Sequence, residues 1–172
     1  MIKLAITGGI GSGKSYVAGQ MTLLFGIPVY DSDSRAKELA VQSQEIRQGL
    51  VSAVGREVYD SHGNLNRPLL ASYLFASEEH ATLVNALVHP VVKADFLRWA
   101  SEQTASVVAI ETALLAESGI DKVVDKIIRV DAPLEVRIQR AMQRDGVSRE
   151  KILERMAHQR EYPNPDVIIN NV

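Results

Sequence analysis

Short runs of apolar and β-branched residues recur along the chain at the length expected of buried strands. They are Ile2–Ile6, Ile27–Tyr30, Val107–Ile110, Ile127–Val130 and Val167–Ile169. Between the first two runs, Val17, Met21 and Leu24 repeat at helical spacing, and the segment 15–25 stops at Gly26, a residue suited to a helix C-terminus. A strand, a helix and a second strand in this order predict a right-handed parallel sheet with helices on both faces, which is an α/β fold.

The long interval 34–105 is mostly helical in its pattern and offers no strand to the sheet. One polar stretch, Tyr59–Asn66, interrupts it and has the composition of a turn. The interval is far longer than an ordinary crossover between two parallel strands. We therefore interpret it as a helical insertion over the carboxyl-terminal edge of the sheet, where open α/β sheets bind their ligands.

Two further helices are predicted after the fourth strand. The first covers Pro133–Arg144, with the proline at a favourable position near its start, and Asp145-Gly146 ends it. The second covers Ser148–Arg160, where Ser148 is expected to cap the helix without the acidic partner of a capping box.

Composition places the chain among ordinary globular proteins. Its 172 residues are 46% hydrophobic and 23% charged, which suits one domain that carries a sub-domain. The formal net charge of −2 gives no general attraction to nucleic acid or to an anionic membrane. The sequence holds no cysteine, which excludes a disulfide framework, a zinc–thiolate site and a thiol nucleophile. It shows neither a leader pattern nor an apolar run near the roughly 20 residues of a membrane span, so we expect a cytoplasmic location.

A complete phosphate loop of the form G-x-x-x-x-G-K-S lies between the first strand and the first helix. It reads Gly8-Gly9-Ile10-Gly11-Ser12-Gly13-Lys14-Ser15. Its glycines let successive N–H groups turn towards a phosphate, and the helix that follows adds its unpaired amides and positive dipole end. Lys14 is expected to reach the β- and γ-phosphates, and the Ser15 hydroxyl is expected to ligate Mg²⁺. A glycine-rich turn that binds no ligand would not require both Lys14 and Ser15, so the sequence indicates binding of a nucleoside triphosphate.

The second strand is predicted to end with the sequence Tyr30-Asp31-Ser32-Asp33, which holds two carboxylates. At positions i and i+2 of a strand, Asp31 and Asp33 are expected to point to the same face at its carboxyl-terminal tip, beside the phosphate loop. One carboxylate there can reach an acceptor hydroxyl and the other a metal, as phosphoryl transfer requires. A second interpretation, compatible with the first, is that Asp31 or Ser32 caps the helix that follows.

A stripe of arginines marks the region after the fourth strand. Arg137, Arg140 and Arg144 recur at i, i+3 and i+7 and therefore share one face of a helix. Because the planar guanidinium suits bidentate phosphate contacts, we predict a basic lid that closes over the phosphates of ATP, with Arg140 and Arg144 close to the transferring group. The alternative is an ordinary solvated surface, on which these arginines pair with the nearby acids Glu135, Asp145, Glu150 and Glu154.

Three weaker signals remain. His89 precedes Pro90 and is therefore expected outside regular helix, either as a packed histidine or as a residue of an acceptor site. Glu111-Thr112 ends the third strand where an acidic partner for Mg²⁺ is expected, although no aspartate occupies that place. Asp60-x-x-Gly63 matches a GTPase switch element, but no N-K-x-D motif follows it, so we interpret it as a turn.

Taken together, the motifs resemble those of the dephospho-coenzyme A kinase family over nearly the whole chain. The matching pieces are Leu4–Ser15, Asp31-Ser32-Asp33, Gly55, Asp60-x-x-Gly63-x-Leu65 with Arg67, Phe75, Leu87-Val88-His89-Pro90, Leu114-Leu115 with Glu117, Gln139-Arg140 and Gln143-Arg144-Asp145. Many kinases share the phosphate loop, whereas its combination with L-x-H-P and Q-R-D is specific to this family.

The resemblance implies ATP-dependent phosphorylation of the ribose 3′-hydroxyl of dephospho-CoA, the final step of CoA biosynthesis. It implies a three-layer α/β/α P-loop kinase fold with a five-stranded parallel sheet. A nucleotide-binding core in 1–33, 106–140 and 161–172, an acceptor-binding helical insertion in 34–105 and a lid in 141–160 are expected. ATP and Mg²⁺ are the implied cofactors, and dephospho-CoA is the implied partner. No nucleic acid or membrane partner is expected, and the enzyme is expected to be a monomer or a weak homo-oligomer.

The family's functional residues carry over to matching positions of this sequence. Asp33 matches the proposed base, Arg140 matches the charge-stabilising arginine, and Thr7 lies beside the loop at a position that also has a role. With the phosphate-loop lysine, the expected catalytic residues are Asp33, Lys14, Arg140 and Thr7. Besides the loop itself, the expected nucleotide-binding residues are Tyr16 and Arg144. The expected acceptor-binding residues are Asp31, Asp33, His89 and Leu114.

The chain departs from the family pattern at three places. Tyr16 stands where a second hydroxyl residue is usual, Glu111–Leu115 replaces the commoner apolar-Pro-Leu-Leu, and relatives continue past Val172 into another helix. Two other functions stay open, namely a small-molecule kinase of the shikimate-kinase type and a nucleotide-dependent switch with little turnover. The long insertion argues for an acceptor larger than a sugar acid, and the missing guanine motif argues against a switch.

Overall fold

A five-stranded parallel sheet organises the computed structural model, which describes residues 1–172. Its strands are β1 (Ile2–Gly8), β2 (Val29–Asp31), β3 (Val107–Glu111), β4 (Lys126–Asp131) and β5 (Val167–Asn170). Their order across the sheet is β2-β3-β1-β4-β5, and every pairing is parallel. All five predicted strands are confirmed. Because β1 is central, the loop that follows it leaves from the middle of the sheet's carboxyl-terminal edge.

Eight α-helices accompany the sheet. They are α1 (Lys14–Phe25), α2 (Ser32–Gln42), α3 (Gln44–Val54), α4 (Arg67–Ala76), α5 (Glu78–Ser101), α6 (Leu115–Ser118), α7 (Leu134–Asp145) and α8 (Arg149–Ala157). As predicted, α1 ends at Gly26, whose φ of 64° lies in the left-handed region that favours glycine. None of these helices combines the length with the apolar composition that crossing a membrane requires.

The chain divides into two compact units. The sheet unit comprises Met1–Asp31 and Trp99–Val172, and the helical unit comprises Ser32–Arg98. In the sheet unit, apolar side chains of α1 pack on one face of the sheet, where the buried members are Ile6, Val17, Ala18, Ala109 and Val130. Burial of a side chain as large as Ile6 contributes roughly 1.5–3 kcal/mol, so this packing fixes where α1 starts relative to the strand ends.

The helical unit confirms that the interval after β2 offers no strand to the sheet. Its helices α3 and α5 approach closely, because a side chain added at Gly49 would collide with Leu87. The buried carboxylate of Asp95 accepts hydrogen bonds from Arg35 at 2.8 and 3.2 Å. The predicted turn is also present, since Asp60 Oδ1 accepts the N–H groups of residues 62 and 64, each at 2.8 Å. The Arg35–Asp95 pair and the Asp60 turn therefore find these hydrogen-bond partners within the helical unit.

Two local expectations are wrong, and both concern where helices begin or continue. The strand β2 ends at Asp31 and α2 begins at Ser32, so Asp33 lies in the first turn of a helix. The alternation of side chains along a strand therefore does not relate Asp31 to Asp33. A carboxylate in the first helical turn is favourable, because it faces the positive end of the helix dipole. Serine and aspartate are typical of such a start, as the second interpretation, a helix cap at Asp31 or Ser32, had indicated.

The helix α5 runs through His89 and Pro90 without ending there. Pro90 removes one backbone hydrogen bond and strains the preceding turn, which is why a break was expected. The apolar positions Val84, Val92 and Phe96 nevertheless continue at helical spacing across it, and all three are buried. Their packing outweighs the local preference, so His89 occupies a helical position.

Candidate active site

The phosphate loop connects β1 to α1 with the backbone shape that its glycines allow. Gly13, the residue before α1, has a φ of 87°, and a side chain there would also collide with the amide group of Asn171. A side chain at Gly9 would collide with the guanidinium of Arg137. Gly13 therefore requires glycine for both conformation and space, whereas Gly9 leaves the space that the Arg137 guanidinium occupies. The loop presents its N–H groups at the start of α1, where the helix dipole favours an anion.

Two side chains from distant parts of the sequence hold Ile10 in the middle of the loop. Arg137 Nε donates to the Ile10 carbonyl oxygen at 3.0 Å, and the Ile10 N–H donates to Gln159 Oε1 at 2.7 Å. The Arg137 side chain is only 12% exposed and lies 3.2 Å from Glu161 and 3.9 Å from Asp131. Sequence reasoning grouped Arg137 with the lid arginines and missed Gln159, because neither contact follows from local spacing.

Arg140, predicted to stabilise charge during transfer, lies beside the loop. Its Nη1 donates to the backbone oxygen of Asn171 at 3.0 Å, and Asn171 Nδ2 donates to the Ser12 carbonyl oxygen at 3.1 Å. A side chain at Gly13 would come within 3.6 Å of Arg140 Nη1. The Arg140 guanidinium thus lies next to Gly13, the residue before α1, and its bond to Asn171, the residue after β5, holds it there.

Arg144 makes different contacts. It forms two hydrogen bonds with Asp145, at 2.7 and 3.1 Å, and Asp145 also accepts one from Arg155 at 3.0 Å. The guanidinium of Arg144 holds the pKa of the Asp145 carboxyl below its ordinary value. Arg149 likewise pairs with Glu135, at 2.7 and 2.8 Å. For Arg144, Arg149 and Arg155 the solvated-surface interpretation describes the contacts, whereas Arg137 and Arg140 contact the loop or its neighbours.

The predicted break between α7 and α8 lies at Gly146, the residue after α7, whose φ is 65°. As predicted, Ser148 caps α8, because its side chain accepts the Lys151 N–H. The helix ends at Ala157, three residues before the expected end at Arg160. The segment 158–163 that follows is not helical, which frees the Gln159 side chain to reach back to the loop.

The end of β3 contributes an acidic side chain to the start of α1. Ser15, in the first turn of α1, donates its hydroxyl hydrogen to Glu111 Oε1 at 2.5 Å. Strand pairing places Glu111 beside Ile6 of β1 on one side and beside Asp31 of β2 on the other. The sequence signal for Glu111 was its position at a strand end, but only the register between strands brings it to Ser15.

A cavity of about 410 Å³ adjoins the loop within the sheet unit. Its lining includes Thr7 from the end of β1, Ala113 and Glu117 around α6, and Arg160 and Tyr162 from the segment after α8. Thr7 is buried, and the predicted Leu114 lies at the start of α6 with 38% of its surface exposed. Burial raises the pKa of the Tyr162 hydroxyl above its ordinary value. A lining that combines polar and apolar side chains in this way suits a small organic ligand.

The remaining predicted residues lie in separate surroundings. Lys14 is the first residue of α1 and is partly exposed, and Tyr16, two residues further on, is 63% exposed. Asp33 and His89 belong to the helical unit, on α2 and α5. The chain brings no three histidine or acidic side chains together as a metal cage. Mg²⁺ sites of kinases need none, because one or two carboxylates act there with phosphate oxygens and water.

Comparison with known proteins gives a consistent result. The family model described as dephospho-CoA kinase matches residues 2–171. The curated dephospho-CoA kinase of Porphyromonas gingivalis is 48% identical over 159 residues, which are 92% of this chain and 78% of that protein. That of Bacteroides fragilis is 46% identical over 159 residues, covering 92% and 77%.

Solved structures agree on the fold. A crystal structure of TT1252 from Thermus thermophilus superposes with a TM-score of 0.81 at 33% identity, over 99% of this chain and 88% of that one. The dephospho-CoA kinase of Campylobacter jejuni gives a TM-score of 0.70 at 22% identity, over 98% and 87%. A shikimate kinase from Bacteroides thetaiotaomicron gives 0.53 at 14% identity, over 98% and 85%. The last two likenesses concern the fold alone.

Proposed function

Since this chain belongs to the dephospho-CoA kinase family, we infer that it transfers the γ-phosphoryl group of ATP to the ribose 3′-hydroxyl of dephospho-CoA. The product is CoA, and the reaction is the last step of CoA biosynthesis. The observation that carries the assignment from the chain's own geometry is the glycine loop that places Lys14 and Ser15 at the start of α1. The predicted reaction class, fold and family are confirmed by the comparisons.

The loop binds the phosphates of ATP through its backbone N–H groups and the positive end of the α1 dipole. Lys14 adds a full charge against the β- and γ-phosphates, which matters most as negative charge moves onto the leaving oxygen during transfer. Arg137 and Gln159 support the binding indirectly, because they hold Ile10 and so keep the loop in its shape.

The donor set at the start of α1 fits Mg²⁺, since it offers a hydroxyl and a carboxylate, the kinds of oxygen ligand that act with phosphate oxygens and water in kinases. We propose that Ser15 holds the ion. When bound, Mg²⁺ neutralises charge on the β- and γ-phosphates of the nucleotide. Ser15 is ready for this role because its hydroxyl hydrogen is donated to Glu111, which leaves oxygen lone pairs available to a cation.

We propose that Asp33 accepts the proton of the acceptor's 3′-hydroxyl while the new oxygen–phosphorus bond forms and the bond to the β-phosphate oxygen breaks. Arg140, already beside the loop, would stabilise charge on the transferring group. Arg144 would reach the phosphates only after leaving Asp145, so its role belongs to a closed lid that also excludes water. Asp31, His89, Leu114 and Thr7 remain proposed contacts at the acceptor or beside the loop.

A cytoplasmic location is proposed as well, and a chain without cysteine suits that reducing compartment. The comparisons do not favour a kinase of the shikimate-kinase type, for which the likeness concerns the fold alone. ATP consumption measured with dephospho-CoA, with shikimate and with no acceptor tests the assignment. We expect turnover and a 3′-phosphorylated product only with dephospho-CoA. Turnover with shikimate alone, or equal ATP hydrolysis in all three reactions, would overturn it.

A further inference from the structure

Arg160 lies on the non-helical segment 158–163, and its guanidinium forms no hydrogen bond or ion pair within the protein. The five arginines between residues 137 and 155 differ from it, because each of them has such a partner. Arg160 is exposed and lines the cavity of about 410 Å³ beside Thr7. A planar cation on a cavity wall with no protein partner is available to a ligand.

Tyr162 lines the same cavity and is anchored through both its backbone and its side chain. Its backbone oxygen accepts a hydrogen bond from Arg129 Nη1 at 2.9 Å, and its hydroxyl lies near the carboxylate of Asp121. These contacts restrict where the aromatic ring can lie. Arg160 and Tyr162 therefore place a guanidinium plane and an aromatic ring on one lining, two residues apart in sequence.

The rest of the lining indicates which kind of ligand fits. Much of it is apolar, from Ala113, Leu115, Ala116 and Pro163. Apolar walls with an aromatic ring and a guanidinium suit a flat heterocycle, because bases stack on both of these planar groups. They suit a diphosphate less, because apolar side chains cannot replace the water around its charges. The lining also holds two acids, Glu117 and Glu161, of which Glu161 pairs with Arg137 at 3.2 Å.

Thr7 connects this cavity to the phosphate loop. It is buried near the end of β1 and directly precedes Gly8, the first residue of the loop. A hydroxyl that receives a phosphoryl group must come within about 3–3.5 Å of it, so the acceptor's ribose must lie beside the loop. In a nucleoside the ribose is bonded to the base, so a base held in this cavity brings its ribose close to the loop.

We propose that this cavity binds the adenine of the acceptor and that Arg160 and Tyr162 determine specificity for a nucleoside acceptor. The proposal rests on the proposed function and assigns the base to one part of the sheet unit. The base stacks on the Arg160 guanidinium and contacts the Tyr162 ring, while the apolar side chains exclude water from it. The ribose then lies towards Thr7, with its 3′-hydroxyl facing the loop.

The test is the binding of dephospho-CoA to the full chain, measured by calorimetry with the phosphate loop saturated by the non-hydrolysable ATP analogue adenylyl imidodiphosphate. Arg160→Ala should weaken this binding at least about fivefold, as the loss of a stacking partner of a base typically does. Arg160→Lys should weaken it nearly as much, because it keeps the charge and loses the plane. Arg155→Ala, which changes an exposed arginine paired with Asp145, is the matched control and should leave the binding unchanged.

Two further readouts separate this role from others. The affinity for the ATP analogue alone should be unchanged in both Arg160 variants, and an equal loss there would place the donor's adenine in the cavity and overturn the proposal. The melting temperature of Arg160→Ala should stay that of the unmodified protein, because the guanidinium has no protein partner. Normal dephospho-CoA binding in Arg160→Lys with weak binding in Arg160→Ala would mean that the cavity binds a charge, which would also overturn the base assignment.

If Arg160→Ala does not fold, Tyr162→Phe and Tyr162→Leu give a second pair that differs in the aromatic ring. The phenylalanine variant should then bind dephospho-CoA more tightly than the leucine variant, and equal affinities would overturn the proposal. Turnover of the unmodified protein with dephospho-CoA is assayed separately. Its absence would overturn the proposed function, whereas normal turnover together with unchanged binding in Arg160→Ala would overturn this inference alone.

Discussion

Arg137 Nε donates a hydrogen bond to the backbone oxygen of Ile10 at 3.0 Å, which ties α7 to the middle of the phosphate loop. The guanidinium also fills the space over Gly9 that a side chain there would need. One arginine therefore supports the loop by a charge-assisted bond and by packing. Its charge is balanced by Glu161 at 3.2 Å, so it serves as a fixed part of the loop's frame.

Replacing Arg137 with alanine should lower both stability and nucleotide affinity. The change removes a hydrogen bond from a charged group and leaves Glu161 without its partner, at a cost of about 1.5–3 kcal/mol. Thermal unfolding and ADP affinity measure the two effects. Arg149→Ala is the control, because it breaks a solvent-exposed pair with Glu135 and should change the melting temperature much less. Equal effects of the two changes would mean that Arg137 is ordinary surface.

Lys14→Ala should lower kcat by on the order of 10²–10³-fold, because it removes a charge that faces the transferring phosphate. The melting temperature should stay near that of the unmodified protein, since Lys14 is partly exposed and α1 tolerates alanine. Steady-state kinetics and thermal unfolding provide the measurements. Lys151→Ala, on the exposed side of α8, is the matched control. A Lys14 variant with normal kcat would contradict the assignment of the loop.

Asp33→Asn keeps the shape of the side chain and loses the base. We expect kcat to fall by roughly 10²–10⁴-fold, while the KM for ATP changes only a few-fold. Asp31→Asn should have the smaller effect on kcat. The comparison matters because Asp31 ends β2 and Asp33 lies in the first turn of α2, so the two carboxylates have different surroundings. A large loss of kcat in Asp31→Asn with a small loss in Asp33→Asn would mean that Asp31, and not Asp33, is the base.

Arg140→Lys preserves the charge beside the loop but loses the planar fork. We expect kcat to fall by about 10-fold or more, which corresponds to about 1.4 kcal/mol of transition-state stabilisation. Arg155→Lys makes the same change on an arginine that pairs with Asp145, and it should leave kcat unchanged. Pre-steady-state measurement of the transfer step separates this effect from slow product release. A normal rate of phosphoryl transfer in Arg140→Lys would mean that Arg140 has only a structural role, through its contact with Asn171.

The pairing of β4 with β5 should be sensitive to acid through Asp166. Its carboxylate accepts hydrogen bonds from Lys126 Nζ and the Ile127 N–H, each at 2.8 Å, and Lys126 lowers its pKa below the ordinary 3.8. Because the folded-state pKa is lowered, the stabilisation is present above pH 3.8 and is lost as the pH falls through the folded value. Asp166→Asn should therefore melt at a lower temperature at pH 7.

The difference in melting temperature between the unmodified protein and Asp166→Asn should shrink as the pH falls below about 4. Working with this difference cancels the contributions of other carboxyls whose pKa values are lowered, such as Asp145 and Glu135. A gap that stays constant from pH 7 to pH 3 would show that Asp166 acts without its charge.

Local chemistry along the chain was sufficient for most of the architecture. Apolar runs of β-branched residues predicted all five strands, because a parallel strand buried on both faces leaves little choice of side chain. Gly26 and Gly146 marked helix ends because their left-handed backbone admits few other residues. The phosphate loop could also be predicted from the sequence, because its glycines, its lysine and its serine lie within one short segment and all contribute to one local structure.

The contacts that complete the site depended on the tertiary structure. Ser15 meets Glu111 through the strand register, and Ile10 meets Arg137 and Gln159 through helix packing and a chain reversal. These partners lie 96, 127 and 149 positions apart, so no local spacing encodes them. The helix through Pro90 has the same cause, because burial of distant apolar surfaces exceeds a local backbone preference. Sequence determined which elements and which loop this protein has, and three-dimensional packing decided which side chains act on that loop.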